Sequence, residues 1–402
     1  MKNTMKRLFR INIKTVAPLI FIIALVQCEK KIPADLQTFS SWFINPSVKF
    51  NARLTSITSE TIDSLIKDIR KLSATGTQAE TLYDSSNTAY VLGYKTPEHI
   101  KPDSVYPLII YLHGGTGTTV NTKGAGAFEM LAPLADSMQL FLASPSASAS
   151  ARWWSSNGMY RILQTLRFMT LHYPVDSSKV FLAGVSDGAT GCWAAANAIY
   201  APFAGFFAVS GYGGLLPMVG MKLFPENLMQ RPIYNVNAGN DRLYSLEIIN
   251  RFLEHMKKSG VQVISKTYPD QGHGFDYREQ EFGTLCNFIR TWSRPVFTSI
   301  NFRFVPEFPN YPDNVFDWKF KNESTQMCNV VCKKDTLLVS TKGLQSLIIR
   351  SPLGQTPCFA RVNQMPVKKI PTYHPEASEC LELMKQSCFP GFSTANLIKI
   401  KL

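Results

Sequence analysis

The chain has 402 residues and no apolar run long enough to cross a bilayer. Its longest, Val16 to Val26, would reach about 16 Å as a helix against roughly 30 Å of hydrocarbon. Acids are scarce, 29 Asp and Glu against 42 Lys and Arg, yet the bases never run beyond pairs such as Lys333-Lys334 and Lys368-Lys369. A nucleic-acid binder gathers its bases into a stripe, so no nucleic-acid partner is expected. There is no internal repeat and no low-complexity tract. With 45% hydrophobic and 18% charged residues, a disordered, collagen-like or coiled-coil chain is excluded. No paired C-x-x-C and no histidine at ligand spacing accompanies the cysteines, so no metal site is expected.

Residues 1–27 hold Lys2, Lys6, Arg7, Arg10 and Lys14 with no acid, ahead of the short apolar run. A charged leader and an apolar core too short to span describe a signal peptide. The run ends in Leu25-Val26-Gln27-Cys28, which resembles a bacterial lipobox whose cysteine becomes the lipidated first residue. Gln27 departs from that pattern, in which Gly, Ala or Ser precedes the cysteine. Lipidation of Cys28, and with it a membrane-anchored exported protein, is the expectation; plain secretion or an uncleaved anchor stays open. Five of the remaining cysteines (Cys328, Cys332, Cys358, Cys380, Cys388) crowd the tail, where export would permit one or two disulfides.

Residues 28–80 read as a helical segment, with Ile62, Leu65, Ile66 and Ile69 at helical spacing. From 81 to 297 strands and helices alternate. Strands are expected at 88–94, 106–112, 140–143, 179–183, 206–210, 232–236 and 261–267, and helices near 126–137, 159–172, 187–199, 244–258 and 277–292. Short apolar strands separated by helices predict an α/β architecture, a mostly parallel sheet covered on both faces. Loops at the carboxyl ends of its strands would carry function. Residues 298–402 read as a smaller β-rich module, with Ile300, Phe302 and Phe304 alternating, as do Ile398, Ile400 and Leu402.

Three motifs fall at strand ends. Gly184-Val185-Ser186-Asp187-Gly188 follows one strand and opens a helix, the setting of a nucleophile elbow, where side chains at the flanking glycines would clash. His113-Gly114-Gly115-Thr116-Gly117 follows another. Backbone N–H groups at Gly115 or Thr116, with that of Asp187, could stabilise a tetrahedral oxyanion. His113 itself reads as a structural histidine. Gly272-His273-Gly274 lies before the last helix, and Asn240-Asp241 follows the strand ending at Val236. The order serine, acid, histidine points to Ser186, Asp241 and His273, with Asp241 favoured over Glu247 and Asp270 because it stands at the end of a strand.

Taken together, Leu112-His-Gly-Gly-Thr-Gly, Gly184-Val-Ser-Asp-Gly, Asn240-Asp241 and Gly272-His273-Gly resemble the α/β-hydrolase superfamily. The likeness is to secreted esterases of the polyhydroxybutyrate depolymerase, feruloyl esterase and prolyl-oligopeptidase-like groups, and it covers about residues 81–297. Ala189 departs from it, standing where many relatives carry a glycine. The resemblance implies an α/β-hydrolase fold, Ser186 as nucleophile, His273 as general base and Asp241 as its orienter. No long lid insertion is evident, which argues against an interfacial lipase.

The expected activity is hydrolysis of a small or polymeric carboxylic ester without a cofactor. An amidase or peptidase on the same triad, an acyltransferase, and a surface lipoprotein with a degenerate core remain alternatives. Trp153, Trp154, Tyr160 and Tyr212 either shape the pocket or pack beneath loops; the sequence does not separate the two.

Overall fold

A short apolar run buried on successive positions suits a strand covered on both sides, and Tyr106-Pro-Leu-Ile-Ile-Tyr-Leu112 is such a strand, half-buried at Tyr106 and Pro107 and buried from Leu108 to Leu112. The computed structural model of the chain describes residues 34–45, 48, 59–295, 299–305, 308, 315–320, 327–350, 357–371, 373, 377–390 and 397–401. The expected leader, Cys28 and Leu402 lie outside them. Eight strands form the central sheet: β1 (Thr77–Tyr83), β2 (Ala89–Lys95), β3 (Tyr106–Leu112), β4 (Phe141–Pro145), β5 (Val175–Val185), β6 (Gly205–Val209), β7 (Ile233–Ala238) and β8 (Val263–Tyr268). Their order is β1-β2-β4-β3-β5-β6-β7-β8. From β4 to β8 the neighbours are parallel, β2 runs against β4, and β1 against β2.

The period of two sorts the strand residues between two cores. Leu108, Ile110 and Leu112 face one cluster and Ile109 and Tyr111 the other, as do Val180 and Leu182 against Phe181 and Ala183. Nine helices accompany this sheet among the described residues: α1 (Ala34–Ile44), α2 (Ser59–Leu72), α3 (Gly124–Ala127), α4 (Ala132–Met138), α5 (Ser156–His172), α6 (Asp187–Ala198), α7 (Pro225–Leu228), α8 (Leu246–Lys258) and α9 (Arg278–Thr291). The first cluster is filled by α1, α2, α5, α6 and α8, the second by α4 and α9. An internal ion pair ties α5 to the turn between β1 and β2. Arg161, 0% exposed, donates to Asp84 at 2.7 Å and lies over the Tyr90 ring.

Three features differ from the expectation. The segment 28–80 is not helical throughout, because β1 begins at Thr77 and forms a sheet edge. Edge position explains the miss: Thr-Gln-Ala-Glu-Thr-Leu-Tyr is mostly exposed and carries no apolar alternation. The tail holds β9 (Ser299–Arg303), β10 (Val315–Phe320), β11 (Met327–Lys333), β12 (Thr336–Lys342), β13 (Leu344–Arg350), β14 (Phe359–Val362), β15 (Lys368–Lys369) and β16 (Leu397–Lys401), in a five-stranded and a three-stranded sheet, but also a helix, α10 (Ala377–Ser387). Third, Cys328, Cys332 and Cys388 are thiols and not members of disulfides. Cys328 points into the core of its sheet, and four residues of strand put Cys332 about 13 Å away, beyond bridging distance.

The β-rich module is packed onto the domain of the central sheet. Ile300, Phe302, Val330, Leu347 and Ile400 join the same apolar cluster as α5 and α6. Asn227 donates to the Arg303 carbonyl at 2.8 Å and accepts its N–H at 2.7 Å, while Thr170 donates to the Cys388 carbonyl at 2.6 Å. Thr170 and Asn227 stand just before β5 and β7 begin. The contacts are therefore at the amino ends of the strands, opposite the loops that carry the motifs.

Candidate active site

Ser186 occupies the sharp turn between β5 and α6 at φ 56° and ψ −119°, a strained backbone for a residue with a Cβ. Neighbouring glycines make the turn possible. A Cβ on Gly188 would run into the Leu112 carbonyl, and one on Gly184 into the carbonyl of Gly188. Ser186 N–H donates to the Val209 carbonyl at 2.9 Å, anchoring the turn to β6.

The loops after β7 and β8 bring two further side chains to this serine. His273 Nε2 lies 2.9 Å from Ser186 Oγ, and its Nδ1 lies 2.7 Å from Asp241 Oδ2. An ionised carboxylate only accepts, so Nδ1 carries the proton and Nε2 accepts from the serine hydroxyl. The other oxygen of Asp241 is held by the N–H groups of Leu243 and Tyr244 at 2.8 and 3.0 Å, an Asx turn that sets the carboxylate's orientation. The Asp241 side chain is 1% exposed and that of His273 21%. The acids weighed against it stand elsewhere: Glu247 is on the exposed face of α8, paired with Arg251, and Asp270 lies in the β8 turn. Such a chain can draw the proton from Ser186 Oγ as it attacks a carbonyl and return it to a leaving group.

Gly114 brings the loop after β3 against the nucleophile; a Cβ there would lie 3.0 Å from Ser186 Cβ. Of the expected oxyanion donors, the structure removes Thr116. Its N–H donates to Asp187 Oδ2 at 2.7 Å and its hydroxyl to the same oxygen at 2.8 Å. Two candidates remain, Gly115 and Asp187. Gly115 is exposed at φ 63°, and the Asp187 N–H, at the first position of α6, has no partner within the helix. His113 is structural, as expected. Its Nδ1 donates to the Gly114 carbonyl at 2.8 Å, its Nε2 accepts from Ala147 N–H at 2.9 Å, and burial holds its pKa below the usual value.

The aromatic residues divide. Trp153 is fully buried and donates to the His113 carbonyl at 2.9 Å, so it supports the loop and lines nothing. Tyr160 donates to Asn45 at 2.7 Å, away from the site. Tyr212 packs edge-on against Tyr244 and Phe252. Tyr244, absent from the sequence expectation, stands edge-on to the His273 ring with centroids 5.3 Å apart, and burial raises its pKa. Ser210 was missed as well. At φ 53° it directly follows β6 and accepts the Gly274 N–H at 3.1 Å, tying the histidine loop to the end of the strand beside the elbow. No sequence pattern marks either residue.

Residues 147–290, which include β5, the elbow and both the acid and histidine loops, match the model of the dienelactone hydrolase family. No curated protein matches the chain. Among solved structures, a thermostable esterase is similar at 20% identity and a TM-score of 0.44, over 54% of this chain and 63% of its own. An acylaminoacyl peptidase of Pyrococcus horikoshii is similar at 14% identity and a TM-score of 0.45, over 58% and 44%. The fluorophosphonate-binding serine hydrolase F of Staphylococcus aureus is similar at 13% and 0.44, over 54% and 99%. The chain thus spans less than two thirds of the first two. The family match falls on the segment whose parallel strands present a strained serine at a strand-to-helix turn.

Proposed function

We propose that the protein cleaves carboxylic esters through an acyl-enzyme, with Ser186 as nucleophile, His273 as general base and then acid, and Asp241 as the group that orients the imidazole. The observation that carries this reading is the unbroken hydrogen-bonded series from Asp241 through His273 to Ser186 Oγ, at 2.7 and 2.9 Å. Ser186 Oγ adds to the ester carbonyl as His273 Nε2 takes its proton. The N–H groups of Gly115 and Asp187 receive the oxyanion. The alcohol leaves with the proton from His273, and water repeats the sequence on the acyl-enzyme. No step requires a metal or an organic cofactor.

A fluorophosphonate probe tests the nucleophile: the expected result is one covalent adduct, at Ser186. Ser186→Ala is expected to lose on the order of 10⁶ in ester turnover with its melting temperature unchanged. A purified alanine variant that keeps a tenth of the activity would show that another group attacks. Parallel esters and amides of graded acyl length separate esterase from amidase, and an added alcohol acceptor separates hydrolysis from transfer. Export and anchoring through a lipid on Cys28 complete the proposal, supported by the basic leader, the short apolar run and the lipobox-like Leu25-Val26-Gln27-Cys28. Labelling with a fatty-acid analogue in wild type but not in Cys28→Ala is the expected outcome; equal labelling refutes the anchor.

A further inference from the structure

The peptide between Gly115 and Thr116 is gripped at both ends by charge. Its carbonyl accepts from Lys123 Nζ at 2.7 Å, and its N–H donates to Asp187 Oδ2 at 2.7 Å. The Thr116 hydroxyl adds a second bond to the same oxygen at 2.8 Å, and Thr116 is fully buried. In a trans peptide the C=O and N–H point in opposite directions. A cation at the oxygen and an anion at the hydrogen therefore pull along the peptide's own dipole, and both bonds are of the stronger, charge-assisted kind.

We infer that Lys123 and Asp187 form a clamp that positions the oxyanion hole, Asp187 acting through its carboxylate on one donor while its backbone N–H supplies the other. This rests on the proposed role of Ser186. The geometry leads there in three steps. Fixing the Gly115–Thr116 plane fixes one side of Gly115, whose φ of 63° a free loop would leave in exchange with other values. The adjoining plane carries the Gly115 N–H, and Gly114 within it lies against Ser186, a Cβ there standing 3.7 Å from Oγ. Asp187 is covalently next to the nucleophile, so the loop is referenced to the serine itself and not to the distant scaffold. The positive end of α6 favours the Asp187 carboxylate. That carboxylate alone would oppose an oxyanion forming beside it; Lys123, on the other side of the same peptide, offsets it.

Both residues are positioning residues, so the variants should lower kcat and leave substrate binding intact. Losing an oxyanion donor costs about 10²–10³ in turnover, and misplacing a reacting group by an ångström about 10². Asp187→Ala and Lys123→Met in the full chain are each expected to lose about 10- to 100-fold in kcat on a chromogenic ester, with KM within about twofold. Asp187→Asn, which keeps one acceptor oxygen, should recover part of the loss. Because both residues hold one peptide, the double variant should lose little more than the worse single one. Melting temperatures identify any variant that has merely lost its fold, and Lys123→Met, on a half-exposed residue, keeps the test open if Asp187→Ala unfolds. Fluorophosphonate labelling of the wild type separates the two readings. A wild type unlabelled at Ser186 overturns the nucleophile and the clamp together. A labelled wild type with clamp variants at full kcat, or with losses that simply multiply, overturns the clamp alone.

Discussion

Replacing Asp241 by asparagine changes one heavy atom and should abolish the proposed ester hydrolysis, for a reason visible in the hydrogen bonds around it. Oδ1 of Asp241 accepts from two backbone donors, Leu243 N–H and Tyr244 N–H. In the variant only the amide oxygen can take that position, since an NH₂ there would meet two donors. The NH₂ is therefore turned toward His273, where Oδ2 now stands at 2.7 Å from Nδ1. Facing a donor, Nδ1 must accept, and the imidazole proton moves to Nε2, the atom that has to accept from Ser186 Oγ. The wrong tautomer costs about 10⁴ in turnover where it has been measured, or roughly 5 kcal/mol of barrier at about 1.36 kcal/mol per decade. The assay is steady-state ester hydrolysis of Asp241→Asn beside Glu247→Gln and Asp270→Asn. The controls should stay within about threefold, because Glu247 is exposed and paired with Arg251 and Asp270 is exposed in its turn. A loss of less than about tenfold in Asp241→Asn would refute the tautomer argument, and a large loss confined to Asp270→Asn would move the acid to that residue.

Asp84→Ala should destabilise the fold by about 3–5 kcal/mol, since it leaves the 0% exposed guanidinium of Arg161 without its carboxylate. Urea titration reads the loss, and kcat of the folded fraction should not change. Burial lowers the pKa of His172 from 6.5 to about 4, so the unfolded chain binds this proton first. Its contribution is complete above about pH 6.5 and is lost as the pH falls toward about 4, the loss reaching roughly 2 kcal/mol by pH 5. His172→Phe should flatten the urea midpoint over that range, and an unchanged slope would show that His172 is not the group titrating. Ending the chain after residue 297 should give aggregated protein, because Tyr200 and its neighbours on α5 and α6 would lose the apolar cover of Ile300 and Phe302. A soluble truncation with the full-length melting temperature would refute this.

What the sequence determined by itself is whatever contiguous residues impose through local sterics and period. The elbow is the plainest case: a Cβ on Gly184 would meet the carbonyl of Gly188 four residues on, so the glycines, the serine between them and the following helix travel as one motif. The limits of β3 follow from its unbroken apolar run, and the order serine, acid, histidine at successive strand ends placed three residues that turn out to meet. Tertiary structure decided what depends on neighbours far along the chain. Polar β1 becomes a strand only because β2 offers it a partner. The tail shares a core with α5 and α6 across more than 100 residues, which no local pattern encodes. Asp187, legible as part of an elbow, takes the Thr116 N–H away from the oxyanion hole, and Lys123 completes the grip from the far side of the same peptide. Hydrogen bonds between side chains and backbone leave no period in a sequence; they exist only once packing has brought the two strand ends together.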